Sequence, residues 1–171
     1  MIIQKEMTAE EFLIFAEQHE DKRFDFIDGE IVEVSPTPVH SRKQVILANA
    51  LEVYTEQNPI GVVYTEVLLV LDGEKFLPDV CIAAESDANY LTTPPLLVVE
   101  IRSDSQSRKS QRRKARDYIR LGVQMVVLVL PGESVEVFRP GREPLVLSVN
   151  DVLDSDDVLP GFRFPLNRIL P

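Results

Sequence analysis

A mixed β-sheet with helices packed on its faces, built as one domain over residues 1–171, is the α/β (α+β) fold that the sequence predicts. Three observations carry this. Leu96–Ile101 and Val123–Leu130 are apolar runs of strand length, and the segment between them is long enough for a helical crossover joining parallel neighbours. Two earlier segments space their apolar residues as helices do. Most of the remainder consists of short apolar stretches punctuated by Gly and Pro turns, as strands in a sheet are.

The elements follow in order. Thr8 and Glu11 have capping-box spacing, so a helix starts there and runs to about Gln18 or Glu20 with Phe12, Phe15 and Ala16 on one face. Arg23 to Val34 reads as a hairpin turning at Asp28-Gly29. After Pro36 and Pro38 a second helix spans about Val39 to Gln57, with Val45, Leu47, Ala48, Leu51 and Tyr54 as its apolar residues. Val62 to Leu71 is expected as one strand, turning at Asp72-Gly73 into an antiparallel partner from Phe76 to Ala83. Residues 87–95 form a loop before the apolar strand at Leu96. The basic helix starts at Ser105 or Ser107, reaches Leu121 and stops at Gly122, the residue type best suited to a left-handed C-terminal cap. Pro131-Gly132 and Pro140-Gly141 then punctuate strands at Ser134–Phe138 and Leu145–Val149. The tail, with Leu153, Leu159, Phe162, Phe164, Leu166 and Ile169, is expected to pack along the surface.

Composition narrows the class. A chain of 171 residues, 44% hydrophobic, holds one sizeable core. Its one cysteine, Cys81, excludes an internal disulfide and fits a reducing compartment. The N-terminus lacks the basic-then-apolar order of a secretion signal, and the longest uncharged apolar run, Leu121–Leu130, is about half the length of a membrane span. A cytoplasmic protein without a membrane partner is therefore expected. Net charge is −10, but eight of the 18 basic residues lie between Arg102 and Arg120, opposed only by Asp104 and Asp117. That stretch carries +6 and the rest −16. Arg108, Lys109, Arg112, Arg113 and Arg116 on this helix are the candidates for contact with a polyanion backbone.

Glu100 is the residue that points to chemistry. It interrupts a run of aliphatic side chains where a carboxylate is costly unless a metal ion, a cation or a proton stands beside it. Asp79 follows Pro78 at the start of a strand, 21 residues earlier. If those strands pair with these ends together, the two carboxylates can share a divalent cation, and Mg²⁺ suits so sparse a set. Such an ion polarises a phosphoryl group and acidifies water. Arg102, two residues beyond Glu100, falls on the same strand face and could stabilise developing phosphorane charge. Lys114 could position or activate water; Ser110, Lys114 and Tyr118 share one helical face. Glu66 alternates within an apolar segment and could reach the same place.

Several spaced motifs then resemble one family. These are Arg23-Phe24-Asp25-Phe26-Ile27-Asp28-Gly29-Glu30, Pro36-Thr37-Pro38-Val39-His40, Pro78-Asp79, Val98-Val99-Glu100-Ile101-Arg102-Ser103, Lys114 with Tyr118 four residues on, Gly122-Val123, and the closing Leu159-Pro160-Gly161. In that order they resemble the Uma-two family of restriction-endonuclease-like nucleases with the PD-(D/E)XK motif. The resemblance implies a single restriction-endonuclease-like domain and a Mg (or Mn) dependent endonuclease cleaving DNA. It implies Asp79 and Glu100 as metal ligands and Lys114 as the motif's lysine moved onto the helix, with Tyr118 its companion. Asp25 and His40 are implied as supporting residues. Asp25 stands where the family usually has Glu, and Ser110 where an acidic residue is frequent. These departures keep open a second reading, a nuclease fold that binds nucleic acid or a protein partner without cutting. Apolar edges, with the analogy to nucleases that cut two strands, suggest a homodimer.

Overall fold

The structure is a computed structural model that describes residues 2–4, 8–19, 23–27, 30–34, 37–103, 106–155 and 157–170. Its elements in chain order are β1 (Ile2–Gln4), α1 (Ala9–Glu17), β2 (Arg23–Ile27), β3 (Glu30–Val34), α2 (Pro38–Gln57), β4 (Val62–Tyr64), β5 (Leu69–Leu71), β6 (Glu74–Phe76), β7 (Val80–Ala83) and β8 (Leu97–Ile101). They continue as α3 (Arg108–Arg120), β9 (Met125–Leu130), β10 (Ser134–Phe138), β11 (Leu145–Leu147), β12 (Val152–Asp154) and β13 (Arg163–Pro165).

A six-stranded sheet in the order β11-β10-β9-β8-β7-β4 forms the centre. β8 and β9 are parallel, joined through α3, and the other pairings in this sheet are antiparallel. Every residue of β8 and β9 is buried, which explains the unbroken apolar runs: a central strand covered by helices on both sides has no polar face. α2 covers one side, where Leu47 and Leu51 meet Val80, Ile82, Val99 and Val127. α3 covers the other, where Ala115 and Tyr118 meet Cys81, Val98, Val126 and Leu128. The sheet is thus the middle of three layers.

The caps fit the sequence. Thr8 accepts from the amide of Glu11, and the Glu11 carboxylate accepts from the amide of Thr8. Ser107 is the residue that caps α3. Gly122 has φ 102, the left-handed conformation its place after a helix requires. β2 and β3 pair antiparallel as the hairpin pattern demands, while the turn at Asp28-Gly29 lies outside the described residues.

Two expectations need correction. The segment 62–71 is not one strand. It divides into β4 and β5 around Glu66, whose φ of 55 is left-handed, and its partner likewise divides into β6 and β7. β4 pairs with β7 in the large sheet, while β5 and β6 make a separate two-stranded ribbon. The tail is not a surface wrapping. Leu153, Leu159, Phe162, Phe164, Leu166 and Ile169 are buried and join the core on the α2 side. The Lys43 ammonium donates to the backbone carbonyl of Ile169, tying α2 to that tail, and burial lowers the Lys43 pKa.

Phe164 is 1% exposed. Phe164→Ala should cost about 3–5 kcal/mol of folding stability in urea titrations, because a cavity replaces a buried ring. A tail that merely lay on the surface would give under about 1 kcal/mol.

Candidate active site

The pairing of β7 with β8 sets Val80 opposite Val99 and Cys81 opposite Val98. One further step in that register brings Asp79 opposite Glu100. Asp79 directly precedes β7 and Glu100 is the penultimate residue of β8, so this register brings the two residues to one end of the strand pair.

Glu100 is 4% exposed. Lys114 Nζ donates to its Oε2 at 3.0 Å, and the Tyr118 hydroxyl donates to its Oε1 at 2.7 Å. Both donors come from the buried side of α3, one turn apart, and are themselves buried. A buried carboxylate loses the hydration that makes it cheap in water, and an ammonium and a phenol here replace part of it. The cation beside Glu100 is Lys114. Arg102 instead donates to the carbonyl of Gln106 at 3.3 Å and to Glu133 at 3.4 Å.

Asp79 meets different partners. Its Oδ2 accepts the backbone amide of Ile101 at 2.7 Å, and its Oδ1 lies 3.3 Å from His40 Nε2. His40 is in the first turn of α2, where Thr37 accepts the His40 amide as the helix cap. Four residues on, Gln44 points the same way. Its amide nitrogen donates to the Asp79 carbonyl at 2.9 Å and to Glu66 Oε1 at 2.8 Å. The site therefore stands where α2 and α3, from opposite faces of the sheet, reach the same strand ends.

Cys81 records the field there. Burial, and then the Glu100 charge, push its thiol pKa from 9.0 up to about 12.

No group of three or more His, Cys, Asp or Glu side chains that could hold a metal ion converges among the described residues. Mg²⁺ is bound through one or two carboxylates and keeps its remaining positions for water and substrate oxygens, so Asp79 and Glu100 together are a donor set of the right kind and size.

The other residues singled out by sequence fall as follows. Asp25 belongs to β2, opposite Val32, and its side chain lies outside the described part. Ser110 donates to the carbonyl of Ser107 at the start of α3, and the inner line of that helix runs through Gln111, Lys114 and Tyr118. Arg112 grips the buried Glu136 of β10 with two nitrogens at 2.6–3.1 Å, and Arg108 pairs with Glu133. Lys109, Arg113 and Arg116 are exposed on the outer side of α3. Sequence reading passed over Gln44 and Gln111. The spacing of Gln44 from His40 could have signalled it. Gln111 is 1% exposed and neither end of its amide has a hydrogen-bond partner among the described residues, which no local pattern announces.

The Uma2 (Uma-two) family model, described as "Putative restriction endonuclease", matches residues 9–167. The chain belongs to that family. Among solved structures, a crystal structure described as a putative nuclease from Anabaena variabilis ATCC 29413 shares the fold with a TM-score of 0.82. At 20% identity the likeness covers 95% of this chain and 97% of that one, so the two share one fold over nearly their whole length. No curated protein matches the chain. No helix among the described residues is long and apolar enough to cross a membrane.

Two outcomes follow from the geometry of this Uma2 chain. Lys114→Met should destabilise the fold by about 3–5 kcal/mol in denaturant titrations, because it strands the Glu100 charge. Cys81 should resist alkylation at pH 8 until the protein unfolds. Its native pKa is raised, so the stability its protonated thiol contributes is complete below pH 9.0 and is lost as pH climbs towards about 12. Mass spectrometry at graded urea concentrations measures the protection; alkylation of the native protein at the rate of a free peptide would contradict it.

Proposed function

We propose that this chain is a Mg (or Mn) dependent endonuclease that hydrolyses phosphodiester bonds of DNA. The observation that carries the reading is the union, at one pair of strand ends, of Asp79, Glu100 and a buried lysine amine delivered by the next helix. Membership of a restriction-endonuclease-like family supports it.

Asp79 and Glu100 would hold the ion, which when bound supplies charge neutralisation at the phosphoryl group and a more acidic water. The chain's own groups do the rest. The Ile101 amide and His40 fix the Asp79 carboxylate so that its oxygens point consistently. Tyr118 holds Glu100 Oε1, which restricts that carboxylate to one rotamer. Lys114 would orient a water and, at the moment of attack, offset the charge gathering on the phosphate. Lys109, Arg113 and Arg116 lie at i, i+4 and i+7 and give the phosphodiester backbone a line of cations outside the site. A second copy of the chain would present a second site for the second strand.

Both Glu100 oxygens accept from groups of this chain, a cation and a hydroxyl, and this favours the alternative in which the fold binds nucleic acid or a protein partner without cutting. Calorimetric titration with Mg²⁺ or Mn²⁺ separates the two: saturable binding that disappears in Asp79→Ala supports the hydrolase, and no binding supports the alternative.

For activity, Asp79→Ala and Glu100→Ala should abolish chelator-sensitive cleavage of duplex DNA. Lys114→Ala should lower it by about 10²–10⁴. Undiminished cleavage by the two carboxylate variants would refute the assignment. Replacing Lys109, Arg113 and Arg116 by Ala should weaken binding for all sequences alike. Each should reduce the dependence of log K on log salt by about one.

A further inference from the structure

α2 has two sides of opposite character. Its inner side carries His40, Gln44, Leu47 and Leu51 against the sheet and the candidate site. Its outer side should be polar on a solvated helix, yet Val45 is 66% and Val53 47% exposed. At 3.6 residues per turn, Arg42, Val45, Asn49, Val53 and Glu56 fall within roughly 40° of a single line along the helix. All five are exposed.

The order of residues on that line is self-complementary. Asn49 stands at its centre, with a valine four residues away on either side. A cation stands seven residues before the centre and a carboxylate seven residues after it. Two copies of α2 laid antiparallel and crossing at Asn49 therefore bring each Val45 against the other copy's Val53, and each Arg42 against the other copy's Glu56. The two central amides meet on the axis itself. An amide carries both a donor and an acceptor, so each Asn49 can donate to its symmetry mate and accept from it. A two-fold axis through Asn49 thus satisfies every contact twice, as an isologous interface requires. A shallow crossing, near 20° with axes about 8–10 Å apart, keeps the outer charged pairs within reach while the valines interdigitate.

We propose that this outer face of α2 is a homodimer interface whose occupant is a second copy of the same chain. The polar groups select that partner. A helix with the same valines but unrelated charges would leave one or both ends unmatched, and an apolar residue opposite Asn49 would bury its amide without a partner. The chain's own α2 matches at all three places. A single amide at the centre of an otherwise apolar seam also fixes the register, because a slip by one turn separates the two amides. Parallel pairing would set Arg42 against Arg42 and Glu56 against Glu56. The stripe lies on the side of α2 away from His40 and Gln44, so association along it covers neither candidate site. The assignment deepens the two-copy reading above but does not depend on DNA hydrolysis, since sedimentation reports association whether or not the chain cuts.

Analytical ultracentrifugation of the full chain at tens-of-micromolar concentration tests it. The native chain should sediment as a dimer. Val45→Asp should give a monomer, with circular dichroism unchanged because the position is exposed, and with melting that no longer depends on protein concentration. Asn49→Asp should do the same at neutral pH, since it sets two carboxylates face to face on the axis. Arg42→Glu and Glu56→Arg should each weaken dimerisation by about tenfold, since each reversal turns an attraction into a repulsion at two symmetry-related places. Mixing those two variants should yield a heterodimer stronger than either variant alone, because one of its two charge contacts pairs the introduced carboxylate with the introduced cation. A native chain that remains monomeric, a dimer unmoved by Val45→Asp or Asn49→Asp, or a mixture no stronger than its components would each overturn the proposal.

Discussion

The burial of one carboxylate constrains much of this molecule. Glu100 occupies the penultimate position of an otherwise aliphatic strand, in a layer closed by helices above and below. Desolvating such a group costs several kcal/mol unless compensation is built around it. Here the compensation comes from two side chains of one helix, so the pair of contacts fixes the rotation of α3 about its own axis. Once Lys114 and Tyr118 must face the sheet, Lys109, Arg113 and Arg116 must face outward. A requirement of the interior thus determines the outer charge pattern of the molecule.

The other carboxylate is tied to the opposite layer. Asp79 takes its partners from the backbone of β8 and from the first turn of α2, and the same helix reaches the C-terminal tail through Lys43. Two strand ends are therefore held from both faces at once. A shift of either helix would change the spacing of these two acidic groups, the quantity on which the proposed ion binding depends. Rigidity at this end of the sheet is supplied by parts far apart in the chain, from residue 40 to residue 169.

How much of this was legible in the sequence depends on whether the signal was local. β8, α3 and β9 could be read directly, because continuous burial leaves uninterrupted apolar runs and because a cap, an amphipathic face and a glycine bound the helix. Glu100 was conspicuous for the same reason, as a charge where every neighbour was aliphatic. The break at Glu66 was not legible: a left-handed backbone at a non-glycine residue is imposed by the contacts of 65–68 with Pro78 and Leu91, which lie across space. The tail was misplaced because its anchors follow no period of 2 or 3.6, so they look the same whether they coat the surface or enter the core. Arg112 and Arg108 looked like their helical neighbours, since the carboxylates that engage them, Glu136 and Glu133, belong to β10 and the turn before it.

Those acidic partners change what the basic helix offers. A helix carrying eight cations in and around it would, if all were exposed, be a broad positive patch on an otherwise negative protein. Glu133 and Glu136 engage the side of α3 that faces β10, and Glu74 meets Arg120 near the helix end. Lys109, Arg113 and Arg116, exposed on the outer side, lie along a narrow stripe parallel to the helix axis. A stripe and a patch differ in what they select: a patch attracts any polyanion in any orientation, whereas a stripe is best matched by charges that are themselves arranged in a line. A nucleic-acid backbone is such a line. On the reading proposed above, the acidity of the chain as a whole would orient an approaching strand instead of arguing against its binding.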